Sequence, residues 1–180
     1  DANTGALDTW APLVGGQVTA IGVSGNTVAF GGTFRSVGGI AKRGVVSINL
    51  RTGRPATPAV RDVAVGVTAL VRIGDVMVVG GHRTLTIPPT PGPDVVAFST
   101  STGALLPWAL ETNGTVNTMA VDGRRLYVGG NFSLVAGAQR LNVAAVDLST
   151  GALTSWNPSP NGFVRTLEAR QGFKIGCPEE

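Results

Sequence analysis

The sequence predicts an all-β protein built from one repeated unit of about 49 residues, each unit holding four short strands. Two observations lead to this prediction. Short sequence markers recur at a nearly constant spacing, and each unit divides into four β-rich segments separated by turn signals. No stretch of useful length carries the 3.6-residue period of an amphipathic helix.

Four independent markers recur in the same phase along the chain. A Thr-Gly pair recurs at spacings of 48, 50 and 48 residues, a Gly-Gly pair at 49 and 49, and a valine at 49, 49 and 48. A tryptophan marks a fourth position, and the second of the four copies of this position has no tryptophan. The markers are Thr4-Gly5, Thr52-Gly53, Thr102-Gly103 and Thr150-Gly151; Gly31, Gly32, Gly80, Gly81, Gly129 and Gly130; Val18, Val67, Val116 and Val164; and Trp10, Trp108 and Trp156. Their common phase indicates a true internal repeat.

Each unit reads as one antiparallel meander of four strands. The first segments are predicted at 18–23, 67–71 and 116–121, the second at 28–32 and 126–130, the third at 45–49, 95–98 and 143–147, and the fourth at 6–10, 104–108 and 152–156. Glycine beside Asn or Asp supplies the positive φ angles of a tight hairpin turn between the first two segments. Sheets that are apolar on both faces and recur every 40–50 residues are typical of β-propeller blades. An open β-solenoid is the alternative, but its units are usually shorter and carry fewer hairpin turns.

The predicted organisation is a single repeat domain over residues 1–180. It comprises a partial blade at 1–14, blades at 15–61, 62–112 and 113–160, and a partial blade at 161–180. Closed propellers have about four to eight blades, so three units and two part-units do not close comfortably. Three explanations stay open: a fragment of a longer propeller, which we favour, self-association with copies that complete the ring, or an open array with exposed edges.

The recurring markers are predicted to have structural roles. The Gly-Gly pair lacks side chains where neighbouring backbones approach closely. Thr-Gly is the turn between the outer two strands, and the tryptophan at the end of the outermost strand can lie over the next blade and bury a large area.

The third unit and, in part, the first carry a longer shared pattern. It comprises Tyr127-Val128-Gly129-Gly130-Asn131-Phe132, Val135, Gly137, Arg140, Ala144-Ala145-Val146-Asp147, Thr150-Gly151 and Trp156-Asn157-Pro158, with Gly31-Gly32-Thr33-Phe34, Val37, Gly39 and Arg43 in the first unit. This pattern resembles the bacterial delta-60 repeat, a propeller family of otherwise unknown function. The resemblance implies a large secreted or surface protein of a bacterium. It carries over no catalytic residue, because the family's conserved pattern is structural.

A second, weaker resemblance concerns residues 145–156. This stretch is similar to the tryptophan-docking motif of quinoprotein propellers, in which a quinone and its metal lie in the central channel between acidic and amide side chains. No such ligands match in this sequence. Kelch repeats also carry Gly-Gly, but their Tyr and Trp follow at short spacing, whereas Trp156 lies 26 residues after Gly130.

Composition argues against several functional classes. Charged residues are 14% of the chain, against about a quarter in an average protein, and the net charge is +3. The basic stretch from Arg35 to Arg61 has one aromatic residue beside it, Phe34, which argues against nucleic-acid binding. One cysteine, Cys177, cannot form an internal disulfide. No run of about 20 apolar residues predicts a membrane span, and residues 1–5 lack the features of a signal peptide.

The second unit departs most from the repeat and supplies the candidate binding loop. It has lost the Phe and Arg of the pattern, and residues 82–93 contain four prolines, which favour a stiff, extended loop. Departures from a repeat's rule tend to mark function, although drift in a tolerant surface loop is the alternative. The candidate binding residues are His82, Arg83, Thr84, Thr86 and Thr90.

Residues that could carry enzyme chemistry are sparse. His82 is the only histidine, so a Ser-His-Asp system could use only that one. Asp147 recurs as Asn49 and Ser99, which predicts a hydrogen-bond acceptor in the Thr-Gly turn. The innermost strand offers Thr19, Thr68, Asn117 and Arg165, a meagre set for binding a substrate or cofactor. The sequence predicts no catalytic residue, no cofactor and no metal site.

The sequence therefore favours a non-enzymatic module that binds protein or glycan or acts as a scaffold, in an extracellular or cell-surface protein. The competing class is a propeller enzyme, quinone-dependent or active on carbohydrate, whose active site lies in blades outside this chain. Propellers host unrelated functions, so the fold does not choose between them.

Overall fold

The computed structural model describes residues 4, 11–42, 44–54, 66–82 and 93–169. Every regular element in this part of the chain is a β-strand, which confirms the all-β class. The strands are β1 (Val18–Ser24), β2 (Thr27–Gly32), β3 (Ser36–Val37), β4 (Ile40–Ala41), β5 (Val45–Asn49), β6 (Gly66–Ile73), β7 (Val76–His82), β8 (Val95–Ser99), β9 (Leu105–Leu110), β10 (Thr115–Asp122), β11 (Arg125–Asn131), β12 (Leu134–Val135), β13 (Ala138–Gln139) and β14 (Val143–Asp147).

Three antiparallel sheets follow one another along the chain. The first sheet has the strand order β1-β2-β5, the second β6-β7-β8-β9 and the third β10-β11-β14. The first and third strands of each sheet, and the second strands of the first and third sheets, lie at the segments that the sequence predicts. β1 lies beside β6, and β6 lies beside β10, so the first strands of consecutive sheets are neighbours.

The hairpin between the first two strands of each sheet has a two-residue turn. Gly25, Gly74 and Gly123 occupy the first turn position with φ angles of 54°, 55° and 56°. The residue after each glycine has no positive φ, which is the pattern of a type II′ turn. The glycine alone therefore supplies the positive φ angle of the turn, whereas we predicted positive φ angles for glycine together with its Asn or Asp neighbour.

A β-bulge recurs opposite the Gly-Gly pair of each sheet. The register shifts between Val18 and Ala20, between Val67 and Ala69, and between Val116 and Thr118. One extra residue therefore lies in each first strand, and these residues are Thr19, Thr68 and Asn117. Bulges of this kind redirect a side chain out of the ladder.

The two glycines of each pair leave room for different neighbours. A Cβ atom on Gly31 would overlap the side chain of Val67 in the second sheet. A Cβ atom on Gly130 would overlap the backbone carbonyl of Thr115 in its own sheet. The first glycine thus accommodates a side chain of the next sheet, and the second accommodates the backbone carbonyl that precedes the recurring valine of its own sheet.

Apolar clusters lie between successive sheets and on the outer face of the first sheet. The cluster between the first and second sheets comprises Ala29, Val45, Val67, Met77, Val79 and Phe98. The larger cluster between the second and third sheets includes Trp108, Leu110, Val116, Leu126, Val128 and Val146. The cluster on the opposite face of the first sheet comprises Val28, Phe30, Phe34, Val37, Val46 and Ile48. The second sheet is therefore covered on both of its faces.

Two of the three tryptophans lie within the described residues, and they differ. Trp108 in β9 is buried, and a Cβ atom on Gly151 would lie 2.7 Å from its Cβ atom. Trp108 of the second sheet thus covers the Thr-Gly turn of the third, as predicted. Trp156 instead packs edge-on against Tyr127 in the third sheet, with ring centroids 5.2 Å apart. Trp10 lies outside the described residues.

The predicted fourth strands are only partly present. β9 begins and ends slightly later than the predicted segment 104–108. At 152–156 a single bridge joins Leu153 to Val146, and the Thr154 carbonyl accepts a hydrogen bond of 2.9 Å from Arg140. The predicted segment 6–10 lies outside the described residues.

Two short hairpins, which the sequence did not predict, close over the loops that enter the sheets. β3 pairs with β4 and β12 with β13. Bridges join Val14 to Val37 and Thr112 to Val135, so each hairpin pairs with the loop leading into its sheet. The corresponding part of the second unit falls at 83–92, outside the described residues.

Candidate functional site

His82 is the one candidate binding residue within the described part of the chain. It is the last residue of β7, and its side chain is exposed. Its Nδ1 atom lies 3.1 Å from the Thr115 hydroxyl at the start of β10 in the next sheet, where the tautomer decides which atom donates. Arg83, Thr84, Thr86 and Thr90 lie outside the described residues.

The first and third units show what normally follows this strand end. Phe34 and Phe132, two residues beyond the second glycine, are buried and hold their hairpins onto the sheets. Arg83 has that place in the second unit. The second unit also has ten residues between this place and Asp94, whereas the first and third units have nine before the matching Gly44 and Asn142. The second unit therefore lacks the aromatic anchor and has a longer loop.

Asp94, at the end of the candidate loop, is the buried polar residue of the described region. Its Oδ2 atom accepts hydrogen bonds from the Thr112 amide at 2.7 Å and from the Thr112 hydroxyl at 3.0 Å. Asn142 occupies the same place in the third unit and donates to the Pro160 carbonyl at 3.2 Å. Each of these side chains thus fixes the connection that leaves its sheet. Sequence reasoning missed Asp94, although its occurrence directly before a third strand, in the place of Asn142, was a usable signal.

The polar residues of the first strands join the sheets. The Thr19 hydroxyl in β1 donates to the Val67 carbonyl in β6, and the Thr68 hydroxyl donates to the Val116 carbonyl in β10. Asn117 Nδ2 donates to the Val164 carbonyl at 3.2 Å. Each donor is the extra residue of a bulge, and each acceptor is the recurring valine about one unit later. The bulge therefore aims one side chain at the next sheet.

The last described segment continues the same pattern without a regular strand. The Val164 amide donates to the Gly130 carbonyl at 3.0 Å, and the Leu167 amide donates to the Thr118 hydroxyl at 3.1 Å. Residues 164–167, predicted as a first strand, have no strand partner among the described residues. Arg165, the fourth polar residue predicted on the innermost strand, is exposed.

Asp75 is the centre of a polar cluster at the outer turn of the second sheet. Its carboxylate accepts hydrogen bonds of 2.7 Å from the hydroxyls of Ser99, Thr100 and Ser101. These hydroxyls, with Ser99 first, lower the pKa of Asp75 from 3.8 to about 2, because they stabilise the ionised form. Arg72 Nη2 donates to the Thr100 hydroxyl at 3.3 Å. The carboxylate therefore fixes the turn between β8 and β9.

Asp147 plays the corresponding part in the third sheet. Its Oδ1 atom accepts from the Ser149 amide at 2.9 Å and the Thr150 amide at 3.1 Å, and its Oδ2 atom lies 3.5 Å from Arg124 Nη2. The hydroxyl of Ser149 is the main cause that lowers the pKa of Asp147.

Asn49 and Ser99 accept backbone hydrogen bonds in the same place of the first and second sheets. The Asn49 Oδ1 atom accepts from the Thr52 amide at 3.1 Å, and the Ser99 hydroxyl accepts from the Thr102 amide at 3.2 Å. The predicted turn acceptor is thus confirmed in all three sheets.

The described part of the chain has neither a metal-binding group of side chains nor a membrane-spanning helix. It contains no group of three or more His, Cys, Asp or Glu side chains placed to hold a metal ion. It also contains no helix long and apolar enough to cross a membrane.

Comparisons with known proteins bear on the fold. No protein-family model matches the chain, and no curated protein matches it. The chain is similar to the computationally designed Ika4 protein, with 19% identity and a TM-score of 0.63 over 86% of this chain and 81% of that one. The computationally designed Ika8 protein matches with 16% identity and a TM-score of 0.43 over 85% of this chain and 65% of that one. At this level of identity, the likeness to Ika4 concerns the fold alone.

Proposed function

We propose that this chain is a run of β-propeller blades that acts as a non-enzymatic module for binding protein or glycan, or as a scaffold. The order of the sheets supports the blade arrangement. Each sheet starts with a strand that lies beside the first strand of the next sheet, and apolar clusters fill the space between successive sheets. Radially stacked blades have this relation between their innermost strands.

The hydrogen bonds between sheets are the observation that carries the non-enzymatic proposal. An enzyme site on the innermost strands would need the polar groups of Thr19, Thr68 and Asn117. Each of these side chains instead donates to a backbone carbonyl of the following sheet or segment. The polar groups that could line a channel thus hold the sheets together.

The loop after β7 is the surface that we propose for recognition. His82 is exposed at its start, and buried Asp94 fixes its end to Thr112. A loop held at both ends on a rigid sheet is a favourable arrangement for binding, because little order is lost when a partner is bound. The likeness to the delta-60 repeat further favours a secreted or surface bacterial protein as the setting.

The experiment replaces residues 84–93 with residues 35–43 of the first unit. The parent chain and this variant are compared on a glycan array and in a pull-down with proteins as bait. We expect the parent to bind a glycan or protein and the variant to lose that binding, with an unchanged β-sheet spectrum. Equal binding by the two chains would refute the role of the loop.

A pair of single substitutions adds a matched control. His82→Ala alters the proposed loop, whereas Asn131→Ala alters the same exposed place in the third sheet. Weaker binding is expected only for His82→Ala. Equal weakening by both substitutions would assign the binding to a feature common to all units.

A further inference from the structure

An apolar strip lies exposed on the first strand of the first sheet. Val18, Ile21 and Val23 are 38%, 65% and 65% exposed. The places that match Val18 in the second and third sheets are Val67 and Val116, and both are fully buried. The strip therefore has the sequence of a packed interface, but no sheet of the described part of the chain covers it.

The covered counterparts show what fits such a strip. Val67 packs against Gly31, and Val116 lies 3.0 Å from the Cβ position of Gly80. In both interfaces the cover is the glycine-containing second strand of the preceding sheet. The bulged residue of that sheet also donates to the valine carbonyl. The cover is thus a sheet of this same repeat.

The third sheet carries a glycine strand of this kind at the other end of the described chain. The Cβ position of Gly129 lies 2.6 Å from Val164 and 2.9 Å from Leu167. These residues belong to a segment that forms no ladder within the described region. Among the described residues, a single segment thus occupies a surface that elsewhere receives a whole sheet.

We propose that a second copy of this chain docks its Val18–Val23 strip on the third sheet of the first copy and displaces residues 164–167. Val18 of the second copy then packs on Gly129 of the first copy. Asn117 of the first copy donates to the Val18 carbonyl of the second copy, as Thr68 donates to the Val116 carbonyl within one chain. Burial of exposed apolar side chains drives the association. The inference rests on the blade arrangement proposed above but not on any ligand of the loop.

The contact is head-to-tail, because the two copies contribute different surfaces. Such a contact closes into a ring when its rotation permits and otherwise continues as a chain of copies. Sheet packing within each copy remains unchanged in either case.

The first experiment measures the mass of the parent chain in solution over a range of concentrations. We expect a mass above that of one chain, falling to one chain on dilution. Ile21→Glu should weaken the association at least about tenfold, because an unpaired charge would be buried. Leu105→Glu is the matched control, since Leu105 is 62% exposed on the outer strand β9. A parent chain that remains monomeric, or an Ile21→Glu variant that associates like the parent, would overturn the proposal.

A disulfide experiment tests the orientation in a Cys177→Ser background. Gly22 packs on Leu70 with its Cβ position 2.6 Å from the leucine side chain. Ile21 matches Leu70 in the first sheet, and Ala120 matches Gly22 in the third sheet. The corresponding pair between copies is therefore Ile21 of the second copy and Ala120 of the first. Mixed Ile21→Cys and Ala120→Cys chains should form a cross-linked heterodimer. A disulfide only between two Ile21→Cys chains would indicate face-to-face pairing and contradict the proposal, as would the absence of any disulfide.

Loss of association and loss of ligand binding are separate results. The Ile21→Glu chain keeps the loop after β7 intact, so it should bind the same glycan or protein as the parent. Failure of the docking proposal would therefore leave the proposed recognition role in place.

Discussion

At the scale of single residues, the bulge explains why a side chain with a hydrogen-bond donor lies opposite each Gly-Gly pair. The extra residue in the first strand cannot join the ladder, so its side chain is free to reach the next sheet. Threonine and asparagine can both donate to a backbone carbonyl. The second glycine is required because the backbone carbonyl of the residue before the recurring valine fills the space of a Cβ atom.

Removal of one such donor should cost stability. We expect Thr68→Val, which keeps the shape of the side chain, to lower the free energy of unfolding by about 0.5–1.5 kcal/mol. The reason is that the Val116 carbonyl loses its donor. Urea unfolding measures the change, and Thr68→Ser should restore most of the loss because it keeps the hydroxyl. Equal stability of Thr68→Val and the parent would contradict this role.

The carboxylate of Asp75 should make stability depend on pH at the acid end. Its pKa is about 2 in the folded chain, below the ordinary 3.8, so the unfolded chain takes up the proton first. The contribution of Asp75 is complete above about pH 4 and is lost as the pH falls towards 2. Asp75→Asn should therefore show a smaller fall in unfolding free energy over this range. Parallel pH profiles for the two chains would disprove the assignment.

At the scale of elements, one buried aromatic ring holds each short hairpin. Phe34 lies edge-on against Phe30 at 5.7 Å, and Phe132 packs in the cluster between the second and third sheets. The second unit has no phenylalanine at this place. The loop of the second unit, with its four prolines, therefore differs in sequence from the hairpins that the ring anchors in the first and third units.

Truncation of this anchor should be costly. We expect Phe132→Ala to destabilise the protein by about 3–5 kcal/mol, because a buried ring leaves a cavity. Phe163→Ala is the matched control, since Phe163 is 64% exposed, and its effect should stay within about 0.5 kcal/mol. Thermal or denaturant unfolding gives both values. Similar losses for the two variants would show that Phe132 is not an anchor.

At the scale of the whole molecule, the sheets differ in how well they are covered. The second sheet lies between two apolar clusters, whereas the first strand of the first sheet is exposed on one side. Local opening needs less free energy where fewer apolar contacts are lost. The stack should therefore open from the first sheet.

Hydrogen exchange would show this gradient. We expect the amides of β6 and β7 to exchange more slowly than the corresponding amides of β1 and β2, measured on the dilute chain. Exchange should slow in β1 at concentrations where copies associate, because docking covers the strip. Stronger protection of β1 than of β6 in the dilute chain would contradict the gradient.

The sequence by itself determined the β class and the places of most strands. Its markers were sufficient because each one meets a local demand: glycine begins the type II′ turns, and Asn49, Ser99 and Asp147 accept bonds within their own turns. Local demands of this kind are visible in a single stretch of chain.

The tertiary structure alone decided the polar contacts between residues far apart in sequence. The partner of Thr68 is a carbonyl 48 residues away, and Asp94 is bound by Thr112 across the end of a sheet. The short hairpins depend on the loops that pair with them, and the strip at Ile21 is exposed because no described sheet packs on it. These features depend on residues far apart in sequence, so no periodicity within one unit could reveal them.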